Sequence, residues 1–387
     1  MLDEPPLDAP DEEWLVWADA MQQAGDPRGE LIALANHPEQ FAKHVERHAQ
    51  HLLGSVMARH LRKGNIRIAW RRARPDIVEL RLDRKAKMPQ LVSELIASPI
   101  APQMRGVSLA AETSSELELD LTEAFHWLHK IGFPRNWTSL SIVDARARAV
   151  DHMLTRDFNP EPNLVNFGPL RNLWRKHPHL EELRLVVADP AQLQLGTIEL
   201  AELRAFTLHC LYWTDGTGRL LAGAKWPKLT SLELRLVEDF TSNEPDDKRA
   251  YRTVYNYPDD GTRSNPFQSS ARDYVDRIED LEPLFGTLER LPLERLAITG
   301  FNDGDLVLGL LEAHPLPSLV HLDLSDSNLT AADLERLANN PLLLQLKTLV
   351  LERITAPTIK ALASLDLEIR HSCEPAAPGY RYVVGWE

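Results

Sequence analysis

Apolar residues recur along this chain with two periods, a helical one and a strand-like one, and the change from one to the other divides it. Over residues 11–36 the helical period dominates: Trp14, Leu15, Ala18 and Met21 fall on one stripe of a first predicted helix. Gly25 suits the left-handed residue that ends a helix, because it has no Cβ to clash. Asp26 then offers a side-chain oxygen as a cap, and Pro27 takes the first position of the next helix, where its missing N–H costs nothing. Leu31, Ile32 and Leu34 give that second helix an apolar face. A third helical stretch, 38–61, carries Phe41, Val45, Leu52, Leu53, Val56, Met57 and Leu61.

From residue 77 onward a different frame takes over. L-x-x-L-x-L, with apolar substitutes, recurs nine times: IVELRL (77–82), MRGVSL (104–109), WTSLSI (137–142), LEELRL (180–185), LRAFTL (203–208), LTSLEL (229–234), LERLAI (293–298), LVHLDL (319–324) and LKTLVL (346–351). Several successive starts lie 23 to 27 residues apart, inside the range of about 20–29 that marks leucine-rich repeats. Helix-like segments such as PQLVSELIA, TEAFHWLHKI, PLRNLWRKH and LTAADLERLANN fall between them. Each repeat supplies one short parallel strand and an outer helix, and cannot bury its apolar face alone, so neighbours stack into a continuous core. The expected fold class is therefore α/β: a leucine-rich-repeat solenoid, curved parallel sheet inside and helices outside, behind a small all-α N-terminal module. Residues 1–76 are assigned to the module, which also caps the array, and 77–387 to the solenoid.

The period is uneven. Starts 33 and 43 residues apart occur early, and 64 residues separate Leu229 from Leu293. The consensus asparagine is missing from most copies, and Asn328 lies one place late. LDLEIRHS reads as a last strand, and YRYVVGWE as a C-terminal cap over the open end of the array, since solenoid termini need covering.

The run LVWADAMQQAGDPRGELIALAN (15–36) resembles the opening of the bacterial repeat-companion domain, a short module that precedes leucine-rich repeats in myxobacterial and planctomycete proteins. The residues carrying the resemblance are Leu15, Val16, Ala18, Asp19, Gly25, Asp26, Pro27, Arg28, Gly29, Glu30, Ile32 and Leu34. Trp17, Ala20, Met21, Gln22, Gln23 and Leu31 depart from the motif. HLLGSVMARH and IRIAWRRARPDIVELRL resemble the family's continuation into its first strand, so the match covers roughly the first 80 residues. It implies an architecture, not an activity.

Composition narrows the function classes. With 43 Lys+Arg against 57 Asp+Glu, the formal net charge is -14, so a phosphate backbone is a poor default partner. Hydrophobic residues at 43% are enough for a sizeable core. Cys210 and Cys373 lie far apart, without metal or redox spacing. The N-terminal MLDEPPLDAPDEEW lacks the basic and apolar regions of a signal peptide, and no apolar run approaches a bilayer span. The expectation is a cytoplasmic protein without membrane contact or cofactor.

Strand side chains alternate, so the frame also tells which residues face away from the leucines. These are Glu79, Arg81 and Asp83; Ser139 and Ser141; Glu182 and Arg184; Thr207 and His209; Glu233 and Arg235; Arg295 and Thr299; His321 and Asp323; Thr348 and Glu352. A broad polar arc on a rigid scaffold predicts a protein-binding surface. The insertion 238–272, with Tyr251, Tyr255, Tyr257 and Phe267, breaks the period and is a second candidate, because aromatics near arginine anchor interfaces.

Two other chemistries have sequence support. His44, His48 and His51 share a helical face that suits zinc, and an enzyme or metal-binding alternative places its site there or on the insertion 238–272. Arg67, Arg71, Arg72 and Arg74 around Trp70 form a basic run (67–74), the basis for a nucleic-acid alternative. GTGRLLAGAK (216–225) superficially resembles a phosphate loop, but Ala224 stands where that motif needs lysine and Trp226 follows Lys225. No G-x-S-x-G, H-E-x-x-H or G-x-G-x-x-G motif is present. Asn136 and Asn328 match the glycosylation pattern, which a cytoplasmic protein does not use.

Overall fold

A computed structural model describes residues 3–82, 88–111, 119–144, 165–166, 170–187, 193–210, 213, 216–236, 271–300, 304–325, 327, 329–351, 362, 367–371 and 381–383. The chain opens with helices α1 (Asp11–Gln23), α2 (Pro27–Ala33) and α3 (Pro38–Arg62). Gly25 adopts φ +74° between the first two, and the Asp26 carboxylate accepts the Arg28 amide at 2.9 Å as the expected cap.

The buried stripe of α1 is Trp14, Trp17, Ala18 and Met21, whereas Leu15 is 53% exposed. The expected stripe therefore needs correction: Trp17 replaces Leu15 on the inner face. The two indoles pack edge to face with centroids 5.7 Å apart, and their larger apolar area decides which side turns inward. Leu31 is fully buried beneath them, with Ile32 and Leu34 half-buried. On α3, Phe41, Val45, Leu53, Met57 and Leu61 are buried and Val56 is exposed.

Next come β1 (Ile66–Arg71) and β2 (Arg74–Leu82), an antiparallel pair spanning residue 76. The strands β3 (Gly106–Ala111), β5 (Ser139–Asp144), β7 (Glu182–Val187), β8 (Ala205–Cys210), β9 (Ser231–Leu236), β10 (Arg295–Thr299), β11 (His321–Asp323), β12 (Thr348–Leu351) and β13 (Glu368–His371) follow. From β2 to β13 they join in parallel, in chain order, into one sheet. Every one of the nine frame segments overlaps a strand of this sheet, and LDLEIRHS supplies β13. β4 (Leu119–Asp120) and β6 (Val165–Asn166) pair separately.

Register is set by one repeated device. The carbonyl just before a strand accepts two successive amides from the next repeat. Thr138 receives Glu181 and Glu182, Glu181 receives Arg204 and Ala205, and Arg204 receives Thr230 and Ser231. Thr230 receives Glu294 and Arg295 across the longest interruption, and Glu294 then receives Val320 and His321. The insertion leaves the ladder unbroken because closing a long loop costs little more than closing a short one.

The frame leucines point to one side, where Leu80, Leu109, Leu185, Leu208 and Leu234 have no exposed surface. Helices α4 (Met88–Ile96), α5 (Thr122–Ile131), α6 (Arg171–Lys176), α7 (Thr217–Ala222), α8 (Ala271–Leu288), α9 (Gly304–Ala313) and α10 (Ala331–Ala338) line the same side. The result is a mixed α/β array with one strand per repeat, solenoid-like, with a single apolar core from Ala9 to Leu362.

One expectation is overturned at the C-terminus. β14 (Arg381–Val383) does not cover the C-terminal edge at β13; it pairs antiparallel with β1 at the opposite edge, Ala69 opposite Tyr382. Ten residue steps from His371 to Arg381 reach at most about 36 Å, while the strands between them occupy about 53 Å along the sheet. The sheet must therefore bend, and the helix-free face is the inside of the bend, because helices are the wider layer. Curvature brings the two edges within reach of one short connection and puts β14 on the exposed backbone groups of β1.

Candidate functional site

The register arranges the helix-free face into rows. One row runs Glu79, Ser108, Ser141, Arg184, Thr207, Glu233, Ala297, Asp323, Val350. A second runs Arg81, Ala110, Val143, Val186, His209, Arg235, Thr299, and a third includes Ser139, Glu182, Ala205, Ser231, Arg295, His321 and Thr348. The sequence-predicted strand residues thus share one face. Position on a face does not make a residue available, however, and burial separates them.

Toward β2 the face is closed. Glu79 is buried and lies 3.5 Å from Arg67 of the neighbouring β1, while Arg81 reaches the Gly64 carbonyl at 3.3 Å. Ala110, Val143 and Val186, in register on three successive parallel strands, are buried although they face away from the leucines. The sequence carries a signal for this row, an apolar residue just past the frame in consecutive repeats, which alternation alone assigns to the polar side.

Between β7 and β10 the face is partly exposed and charged, with His209 and Thr299 buried in it. His209 Nε2 lies 2.6 Å from Glu233 Oε1, and the Thr207 hydroxyl donates to the other oxygen at 3.4 Å. Burial pushes the Glu233 carboxyl up, but the His209 hydrogen bond and charge, with the Arg184 and Arg235 guanidiniums, outweigh it and hold the group below the usual carboxylate range. Arg184, His209, Glu233 and Arg235 therefore act as one cluster assembled from three strands. Arg295 is exposed beside it on β10. Farther along, Asp323 is engaged locally: it accepts the Ser325 amide at 2.9 Å and hydroxyl at 2.7 Å.

Sequence reasoning missed a residue that braces this face. Arg105, in the connection before β3, bonds Glu182 two strands away and lies 3.4 Å from the buried Asp76. Gly106 makes room, since a Cβ there would sit 2.2 Å from the Ser139 carbonyl oxygen. Nothing in the frame marks a loop arginine as a bridge across strands.

The remaining candidates are structural. His44 is buried and hydrogen-bonds the Pro27 carbonyl at 2.9 Å, tying α3 to α2, with Glu30 3.3 Å from its other nitrogen. His48 stacks on it at 4.5 Å, and His51 turns toward Asp26. Among the described residues no cluster of three such side chains is placed to hold a metal ion. In the basic run, Arg67 pairs with Glu79, Arg72 with Asp11 at 2.6 Å and Arg74 with Glu4, while Trp70 packs on Phe41. Arg72 also lies over the Trp14 ring, 5.7 Å from its centroid. Arg72 and Arg74 hold α1 and the N-terminal segment against the β1–β2 pair, and Arg67 joins β1 to β2.

The segment resembling a phosphate loop already holds an anion of its own, the Asp280 carboxylate, which accepts the Gly218 amide at 2.7 Å and the Arg219 amide at 3.2 Å. Asn136 donates to the carbonyls of Ala101 and Met104, a structural role. Tyr251, Tyr255, Tyr257 and Phe267 of the insertion lie outside the described residues, as do Asp83, Asn328, Glu352 and Cys373.

No family model matches the chain, and no curated protein is similar to it. The resemblance of residues 15–36 to a repeat-companion module thus rests on those residues alone. Among solved structures, a Bacteroides fragilis structural-genomics target superposes with a TM-score of 0.51 at 16% identity, covering 76% of this chain and 71% of that one. A chain of the yeast Rad7–Elc1 complex gives 0.39 at 15% identity over 93% and 80%. A chain of the TLR13–ssRNA13 complex gives 0.32 at 14% identity, and the present protein spans 33% of its length. The first of these likenesses is one of fold.

Proposed function

We propose that this chain is a cytoplasmic leucine-rich-repeat scaffold, without catalytic activity of its own, that recognises another protein on the helix-free face of its sheet. One observation carries the reading: parallel strands in chain order present polar side chains in aligned rows on a face that none of the described helices covers. Such a surface offers a partner many contacts in fixed geometry, so little entropy is lost in ordering it. The open stretch from β7 to β10 supplies charged side chains at its centre, and the neighbouring rows supply small ones. In this reading residues 1–76 form the capping module and the insertion 238–272 extends the contact surface. Among the described residues no helix is long and apolar enough to cross a membrane.

The test is affinity capture from lysate of the native host, followed by calorimetry with the purified partner. Wild type is compared with the Arg184→Glu/Arg235→Glu variant and with a deletion of 238–272. Loss of a discrete partner in the arginine variant supports the reading. A partner retained by both variants overturns it.

A further inference from the structure

The open part of the face is unevenly charged, and this deepens the reading above and depends on it. Its two acids are already engaged within the chain: Glu182 by Arg105 and Glu233 by His209. The side chains of Arg184 and Arg295 make no hydrogen bond or close ion pair among the described residues, and the Glu233 carboxylate feels the charges of both Arg184 and Arg235. The register lines up Ala205 and Ser231 between Glu182 and Arg295 and sets Ala297 beside Glu233, so a floor of short side chains flanks the charged ones. Three guanidiniums against two engaged carboxylates make this stretch locally cationic on a chain of net charge -14.

We propose that the partner docks an acidic segment here, its carboxylates received by Arg184 and Arg295 over the Ala205–Ser231–Ala297 floor. Guanidiniums accept carboxylates in paired, planar geometry, which gives specificity as well as attraction. The arrangement fits a protein segment better than a phosphate backbone. Glu182 and Glu233 keep 44% and 42% of their side-chain surface exposed between the arginines, where an unbroken row of phosphates meets them. A peptide sets its carboxylates at intervals and leaves neutral groups opposite the glutamates. Nor does the patch present the aromatic platforms on which single-stranded bases stack.

The experiment is fluorescence anisotropy on the full chain with three labelled probes: a Glu-Gly-Ser repeat peptide, its Lys-Gly-Ser counterpart and oligothymidylate. At low salt the acidic peptide binds about tenfold tighter than the basic one, as one or two charge pairs at a partly screened site supply. High salt removes the preference. Arg184→Gln/Arg295→Gln weakens it and Arg184→Glu/Arg295→Glu abolishes it, with circular dichroism showing that both variants fold. Equal binding of the two peptides, or tighter binding of oligothymidylate, overturns the proposal.

A floor-filling Ala205→Trp variant separates this idea from the reading beneath it. If it loses the captured partner while Arg184→Glu/Arg295→Glu keeps it, the face stands and the acidic segment is rejected. If Ala205→Trp keeps the partner, the face itself is rejected.

Discussion

The carboxylate of Asp280 lies 2.7 Å from the Gly218 amide and so occupies the N-terminus of α7 with an anion supplied by the fold itself. The same oxygen accepts the Trp213 indole N–H at 3.0 Å, and the other faces the Arg219 guanidinium at 3.4 Å. A Cβ on Gly218 would come within 2.2 Å of the Asp280 carbonyl oxygen, so only glycine lets α8 approach this closely. This contact anchors α8, which lies within the longest interruption of the repeat period, onto the preceding repeat.

Asp280→Ala leaves two buried donors, the Gly218 amide and the Trp213 indole, without their acceptor. It is expected to lower stability by about 3 kcal/mol. Gly218→Ala, through backbone overlap, is expected to cost about 2 kcal/mol or more. Urea unfolding followed by circular dichroism measures both, and an unchanged midpoint for either would falsify this account of the joint.

Acid sensitivity is expected from His177, which is fully buried against Phe133 with ring centroids 4.5 Å apart. Burial, reinforced by the charges of His179, His129 and Lys176, pushes its pKa down to about 4. The unfolded chain takes up the proton near pH 6.5, so between there and pH 4 the unfolded state binds more protons. Stability is full above that window and falls with acidification by about 1.4 kcal/mol per pH unit within it. His177→Phe, which keeps the ring contact, should flatten this slope. Identical slopes for variant and wild type in urea titrations between pH 7.5 and pH 4.5 would remove His177 as the cause.

Arg105→Ala strands the buried Asp76 carboxylate and frees Glu182. The loss is expected to be about 3 kcal/mol, because a buried charge without its partner is costly. Arg105→Lys is expected to recover only part of it, since one ammonium does not reproduce contacts to Glu182 and Asp76 from different guanidinium nitrogens. Full recovery by lysine would show that a single charge is enough.

At the N-terminus, a Cβ on Gly29 would lie 2.4 Å from the Ala18 carbonyl oxygen, so Gly29→Ala should force α1 and α2 apart and lower the melting temperature by several degrees. Val16 is 61% exposed, and Val16→Thr should leave the melting temperature within about a degree. Differential scanning calorimetry ranks the two; comparable losses would place Val16 in the core.

The sequence by itself determined the repeat, and with it the fold. A leucine recurring three and five places after another has one economical use, a strand with a single buried face, and repetition at a near-constant interval forces those strands side by side. The helix ends at Gly25 and Pro27 were legible for a similar reason: each depends on the chemistry of one residue and its own backbone.

Tertiary structure decided what depends on residues distant in the chain. Alternation put Glu79, Val186 and His209 on the right face, but only neighbours in adjacent strands determine which of them reach solvent. Leu15 and Trp17 compete for the same side of α1, and the packing of two indoles settles it. Arg105 bridges strands that the sequence separates widely, and the place of β14 on the N-terminal edge follows from the curvature of the whole sheet. Local pattern fixes direction and period, because those are properties of the backbone. Burial, charge pairing and closure are sums over contacts that exist only once the repeats have stacked.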